Sequence, residues 1–185
     1  TLRAPHYIDF EFRCIPRQHV HARGWFGLFW ASYINAPIDK SLYFRGGWRA
    51  KEDMWMQLCT QEHDDESTVL AQGDDFKLTW QAGSRDALFK NYSRMRYARP
   101  FYYGHFEDLV YLLMFENADG IRFAHSPSGG GYNKAFNTTN PAWDWQFIVP
   151  KYEVNREYKY RARAVLRPKC SRAEIMKEVE RWPAA

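Results

Sequence analysis

The segment Arg17-Gln-His-Val-His-Ala-Arg23 sets two imidazoles and two guanidiniums at alternate positions. Alternate side chains of an extended chain share one face, so Arg17, His19, His21 and Arg23 are expected to stand side by side. Two imidazoles on one strand suit a divalent metal, as in cupin-like barrels, with His19 and His21 as metal ligands. The flanking arginines repel a cation and suit a small anion instead: a carboxylate, sulfate or phosphate. A solvated basic edge needs no ligand at all.

A second group is Tyr103, His105 and Glu107 within Tyr102-Tyr-Gly-His-Phe-Glu-Asp108. On a strand these three share a face and supply a phenol, an imidazole and a carboxylate, the groups of general acid–base catalysis. They are the candidate catalytic residues. If folding brought the segments together, His105 and Glu107 would complete a metal shell begun by His19 and His21. A divalent metal is therefore the one cofactor these residues suggest.

A third group is Trp143-Asp-Trp-Gln146. Pyranose rings stack on indoles while carboxylate and amide groups bind hydroxyls, so Trp143, Asp144, Trp145 and Gln146 read as ligand-binding residues for a saccharide. The competing reading makes both tryptophans core anchors. Glu62-His-Asp-Asp-Glu66 holds metal-capable side chains but lacks the spacing of a calcium loop. No GxSxG, P-loop, GxGxxG or HExxH motif occurs, which argues against the common hydrolase, kinase, dinucleotide-binding and zincin chemistries.

The elements that must position these groups read mainly as strands. His6–Cys14 alternates cleanly, with Ile8, Phe10, Phe12 and Cys14 on one face. Further strands are expected over residues 24–34, 42–44, 54–59, 76–80, 106–115, 121–125, 143–149 and 158–166. Gly46-Gly47 and Asn117–Gly120 read as turns, the second with hairpin chemistry. Asp86–Asn91 could form one helical turn, and 126–140 is a long Gly/Ser/Asn-rich loop of the kind that carries function. The chain ends in a helix over 171–182: Ser171 and Glu174 make a capping box, and Ile175, Met176, Val179 and Trp182 form an apolar stripe. That helix is expected to cover a sheet edge or a sandwich end.

Together these elements predict an all-β fold: an antiparallel β-sandwich or jelly roll with a short C-terminal helix, built as one domain over 1–185. The chain begins with Thr1 and could be a piece of a longer one. The composition agrees, with 185 residues, 45% hydrophobic, and 8 Trp, 12 Tyr and 13 Phe. A net charge of +4 is small. It makes nucleic acid an unfavoured partner, despite the basic runs at Arg94–Arg99 and Arg156–Arg167. No apolar run is long enough for a membrane span. Cys14, Cys59 and Cys170 read as buried thiols, which favours a reducing, cytoplasmic setting unless a leader peptide has been removed.

The aromatic density, with Asn140-Pro-Ala-Trp-Asp-Trp-Gln-Phe147 and His19-Val-His21, resembles carbohydrate-active β-sandwich proteins, nearest the galactose-mutarotase-like group. That resemblance implies a His acid and a carboxylate base on a sheet, and His105 and Glu107 are the positions that would match. The chain is shorter than that supersandwich, so a half-unit or simpler jelly roll is expected. The function expected is binding or modification of a glycan, neutral or acidic, with a saccharide or small anion as ligand. A metal-dependent cupin-like enzyme and a non-enzymatic interaction module are the alternatives. Enzyme and binder both stay open, as does a homo-oligomer.

Overall fold

A computed structural model describes residues 6–62, 65–80, 82–83 and 91–182. Its strands are β1 (His6–Cys14), β2 (Phe26–Trp30), β3 (Leu42–Gly47), β4 (Met54–Leu58), β5 (Thr68–Ala71) and β6 (Tyr92–Phe106). They continue with β7 (Leu109–Phe115), β8 (Ile121–Ser126), β9 (Tyr132–Asn133), β10 (Thr138–Thr139), β11 (Ala142–Val149) and β12 (Tyr158–Pro168), followed by helix α1 (Arg172–Arg181). The all-β, sandwich-like expectation holds. Ten strands form one curled sheet in the order β1-β12-β7-β6-β5-β8-β11-β2, with β3 on β6 and β4 on β3, while β9 and β10 make a small hairpin of their own.

The curl follows from period-2 patterning. Phe44, Val69, Tyr97, Leu113, Phe123 and Trp145 turn inward from six different strands into one core. Their neighbours in sequence face out. On the outer face of β6, β7 and β12 those neighbours include Phe101, Leu112, Met114 and Val165, and they form a second core with Ile175 and Trp182 of α1. The helix therefore covers a sheet face rather than an edge or an end. Its capping box is present, with the Ser171 hydroxyl accepting from the Glu174 amide and Glu174 accepting from the Ser171 amide.

The two ends of the curled sheet, β1 and β2, do not pair with each other. They meet through side chains: Phe10 sits edge-on to Trp30 at 5.0 Å, and Phe12 lies 6.2 Å from Phe147 on β11. Aromatic packing closes this seam where backbone hydrogen bonds do not.

Several local expectations are corrected. The fold is not wholly antiparallel, because β5 and β6 run parallel. The strand expected over 24–34 is only Phe26–Trp30, since Ala31 and Ser32 break the pairing that resumes at the Tyr33–Ala142 bridge. Gly46 and Gly47 lie inside β3 rather than in a turn; a Cβ on Gly46 would collide with the Arg96 carbonyl, so glycine permits the close approach of β6. Residues 76–80 form no strand. Asn117–Gly120 joins two strands that are not partners, so it is not a hairpin turn. The longest strand, β6, is legible in the sequence only near Tyr103 and His105, because Pro100 and its arginines mask the alternation before them, and the strand expected over 106–115 begins at Leu109 after the turn. Cys59 is exposed and Cys14 and Cys170 only half-buried, against the expectation of buried thiols. The helical turn at Asp86–Asn91 and part of the Glu62–Glu66 loop lie outside the described residues. No described helix is long and apolar enough to cross a membrane.

Candidate functional site

The β6–β7 hairpin pairs Phe106 with Leu109, leaving Glu107 and Asp108 as a two-residue turn. Tyr103 and His105 share a face of β6, as expected, whereas Glu107 has left the strand. Glu107 nevertheless returns to the same neighbourhood through the turn. Its φ of 52° is left-handed, a conformation that costs a non-glycine residue roughly 1–2 kcal/mol. The Lys169 amide donates to the Asp108 carbonyl at 2.9 Å and ties the hairpin tip to the end of β12.

His105 and Glu107 line a cavity of about 440 Å³ together with Asp39, Ile38 and Lys169. Asp39 comes from the β2–β3 loop, and its carboxylate accepts the Ser41 amide at 2.9 Å and the Tyr43 hydroxyl at 2.7 Å. Burial raises Asp39, but these hydrogen bonds outweigh it and hold the carboxyl below its ordinary value. Burial, reinforced by Asp39, pushes the Tyr43 phenol up to about 12. Tyr43 stacks on Tyr103 at 5.1 Å, and both rings stand edge-on to His105 at 5.8 and 5.6 Å. The first residue of α1 closes the group from the side. Arg172 donates to the Tyr103 hydroxyl at 3.2 Å and lies over the Trp55 ring at 5.0 Å.

This surround leaves His105 neutral at ordinary pH. Burial lowers its pKa, and Asp39 only partly offsets the loss. Its Nδ1 is buried with no hydrogen-bond partner, which is rare for a buried nitrogen. The cavity thus brings one imidazole, two carboxylates and an ammonium around one space. Of the residues gathered here, spacing in the sequence singles out Tyr103, His105 and Glu107, whereas Asp39, Tyr43, Lys169 and Arg172 come together through tertiary contacts.

The other groups lie elsewhere. Arg17, His19, His21 and Arg23 do not form a strand face, because β1 stops at Cys14 and β2 starts at Phe26. All four are exposed on a loop. His19 and His21 pack on the same Tyr152 ring at 5.4 and 5.6 Å, and Arg17 donates to Asn155 at 3.1 Å. This loop adjoins the Tyr158 end of β12, whereas His105 adjoins the Pro168 end. Ten residues of strand separate the two, on the order of 30 Å. The His19–His21 pair and the His105–Glu107 pair therefore build no shared metal shell, and no group of three metal-ligating side chains occurs among the described residues.

Trp143, Asp144, Trp145 and Gln146 are all buried, at 0 to 2% exposure. Trp143 and Trp145 are core anchors: Trp143 donates to the Lys40 carbonyl at 2.9 Å and Trp145 stacks on Trp30 at 6.0 Å. They offer no face to a sugar. The exposed aromatics near this sequence are Tyr33, Tyr132 and Phe136, each at 63 to 64% exposure. Tyr132 donates to Asn137, and Asn133 donates to Asn35 at 2.8 Å and to Asn140 at 3.0 Å, so the long loop is a hydrogen-bonded amide surface beside the β2–β3 loop.

No family model matches this chain, and the searches found no curated protein or solved structure similar to it. Fold class and site geometry therefore carry the functional reading.

Proposed function

We propose that the protein binds a saccharide through the cavity between the β6–β7 hairpin and the β2–β3 loop. The observation that carries this reading is one cavity lined by an imidazole, two carboxylates and an ammonium, those of His105, Asp39, Glu107 and Lys169. Hydroxyl groups both donate and accept. A sugar can therefore donate to the imidazole and the carboxylates while accepting from Lys169, which a simple anion or cation cannot do at one site. Lys169 favours a sugar that also carries a carboxylate or sulfate. The adjoining loops support the same reading, since Tyr33 and Tyr132 stand exposed, and Asn35, on the loop that carries Asp39, is hydrogen-bonded to Asn133, which also bonds Asn140.

A neutral imidazole beside a carboxylate is also the equipment for proton transfer, so processing of the bound sugar would use His105 as base and Glu107 as its partner. Thermal shift with neutral sugars, uronates and sulfated oligosaccharides tests the binding. Saturation near 100 times the dissociation constant stabilises by about 2.7 kcal/mol, a rise of roughly 5–10 °C for a chain this size. One sugar class should produce that rise, and His105→Gln should abolish it without changing the ligand-free melting temperature. A shift that survives His105→Gln, or no shift with any sugar, removes the proposal.

A further inference from the structure

The seam between β1 and β2 is closed by direct aromatic contact between the two strands at the Phe10–Trp30 end. At the Cys14–Phe26 end it opens into a separate pocket of about 410 Å³. Its walls are apolar: Phe12 from β1, Pro16 and Val20 from the following loop, Phe26 and Leu28 from β2, and Tyr152. Arg17 and His21 also border it, and polar groups supply the smaller part of its lining. Val20 is 67% exposed there, a branched aliphatic side chain left facing water.

The loop that forms this wall is firmly held. The Tyr152 hydroxyl accepts from the His21 amide at 3.1 Å and the Tyr152 amide donates to the Gly24 carbonyl at 3.0 Å. The Asn155 amide donates to the Pro16 carbonyl at 2.8 Å. Arg17 spends one hydrogen bond on the neutral amide of Asn155 and has no ion pair with a described carboxylate, so its charge is not neutralised locally. A preformed apolar pocket with a guanidinium at its edge that no described carboxylate pairs complements a molecule with an apolar body and one anionic head.

The geometry points to a second binding site, distinct from the His105 cavity, in which the β1–β2 seam takes a medium-chain carboxylate with its alkyl body against Phe12, Phe26 and Leu28 and its head on Arg17. The size agrees, since pockets for small ligands run from about 300 to 1,000 Å³ and this one falls near the lower end.

Calorimetric titration of the full chain with hexanoate, octanoate and decanoate, and with decanol as the uncharged control, tests the site. Burial of each added methylene should tighten binding about fourfold, equivalent to about 0.8 kcal/mol. Arg17→Gln should weaken decanoate about tenfold and leave decanol unchanged. Val20→Asp places a like charge at the pocket edge and should abolish decanoate binding. Both substitutions fall on exposed loop positions, and an unchanged melting temperature checks that each variant is folded. The proposal is overturned by absence of saturable binding, by affinity independent of chain length, by decanol binding as tightly as decanoate, or by an Arg17→Gln variant that retains full affinity for the acid.

Discussion

Asp144 accepts the backbone amide of Ser32 through Oδ1 at 2.8 Å, pinning the break that ends β2 to the middle of β11. The carboxyl is 2% exposed, and burial pushes it from 3.8 up to about 7, with the Ser32 hydrogen bond opposing the rise. A folded-state value above the unfolded one means that the folded chain holds more protons between about pH 4 and 7. Stability contributed here is present at low pH and lost as pH rises through that window. Asp144→Asn keeps the acceptor for Ser32 and removes the titration. The variant should gain on the wild type by on the order of 2–3 kcal/mol between pH 5 and pH 8 in urea unfolding. A difference that stays constant with pH contradicts the assignment.

His125 works in the opposite direction. It is fully buried, with Nε2 at 2.7 Å from the Lys40 carbonyl and Nδ1 at 2.8 Å from the Thr60 hydroxyl. A carbonyl only accepts, so Nε2 carries the proton and Nδ1 accepts from Thr60. Burial lowers the pKa below 6.5. The unfolded chain then binds more protons below pH 6.5, and the stability tied to the neutral ring is lost as pH falls under that value. Nitrogen chemical shifts should show His125 as the neutral Nε2–H form at pH 6.5. A half-protonated ring at that pH refutes the arrangement.

Gly104 precedes His105 on β6 and faces the Trp143 indole, where any Cβ would lie within 2.4–2.7 Å of three ring carbons. Neither backbone β6 nor a fully buried Trp can move away cheaply. Gly104→Ala should therefore destabilise by about 1–3 kcal/mol, as overpacked cores do. Trp143→Phe makes room, so the double variant should cost less than the sum of the two single ones. Additive losses in a double-mutant cycle would show that the contact is not the cause.

What could be read from the sequence followed from period. His6–Cys14 and Trp143–Val149 alternate cleanly, and both are strands whose even or odd positions face the core. The capping box at Ser171 is a local motif and sits where its residues put it. Long-range relations were not readable in this way. Nothing local tells β5 to run parallel to β6, or tells β7 and β8 to part company after Gly120. The candidate site shows the same division. Tyr103 and His105 lie on one face because they stand two positions apart, with only Gly104 between them, but Asp39 and Lys169 reach the cavity through loop closure that no spacing records. The Trp143–Gln146 group failed as a ligand platform because alternation cannot distinguish a strand with one wet face from one covered on both, and β11 is buried along its whole length.

Glu107 separates stability from function at the candidate site. Its left-handed φ of 52° strains a residue with a Cβ, and glycine adopts that conformation without steric cost. If Glu107 were there only to make a turn, glycine would serve better. Glu107→Gly should leave the melting temperature unchanged or raise it, because relief of strain offsets the greater entropy of the unfolded glycine chain. The same substitution removes a carboxylate from the cavity and should weaken saccharide binding at least tenfold. Glu107→Gln retains the strain and most of the side-chain volume, so it should lower affinity without raising stability. A Glu107→Gly variant that binds sugar as tightly as the wild type would show that the strained carboxylate has no part in recognition, leaving His105 and Asp39 to carry it.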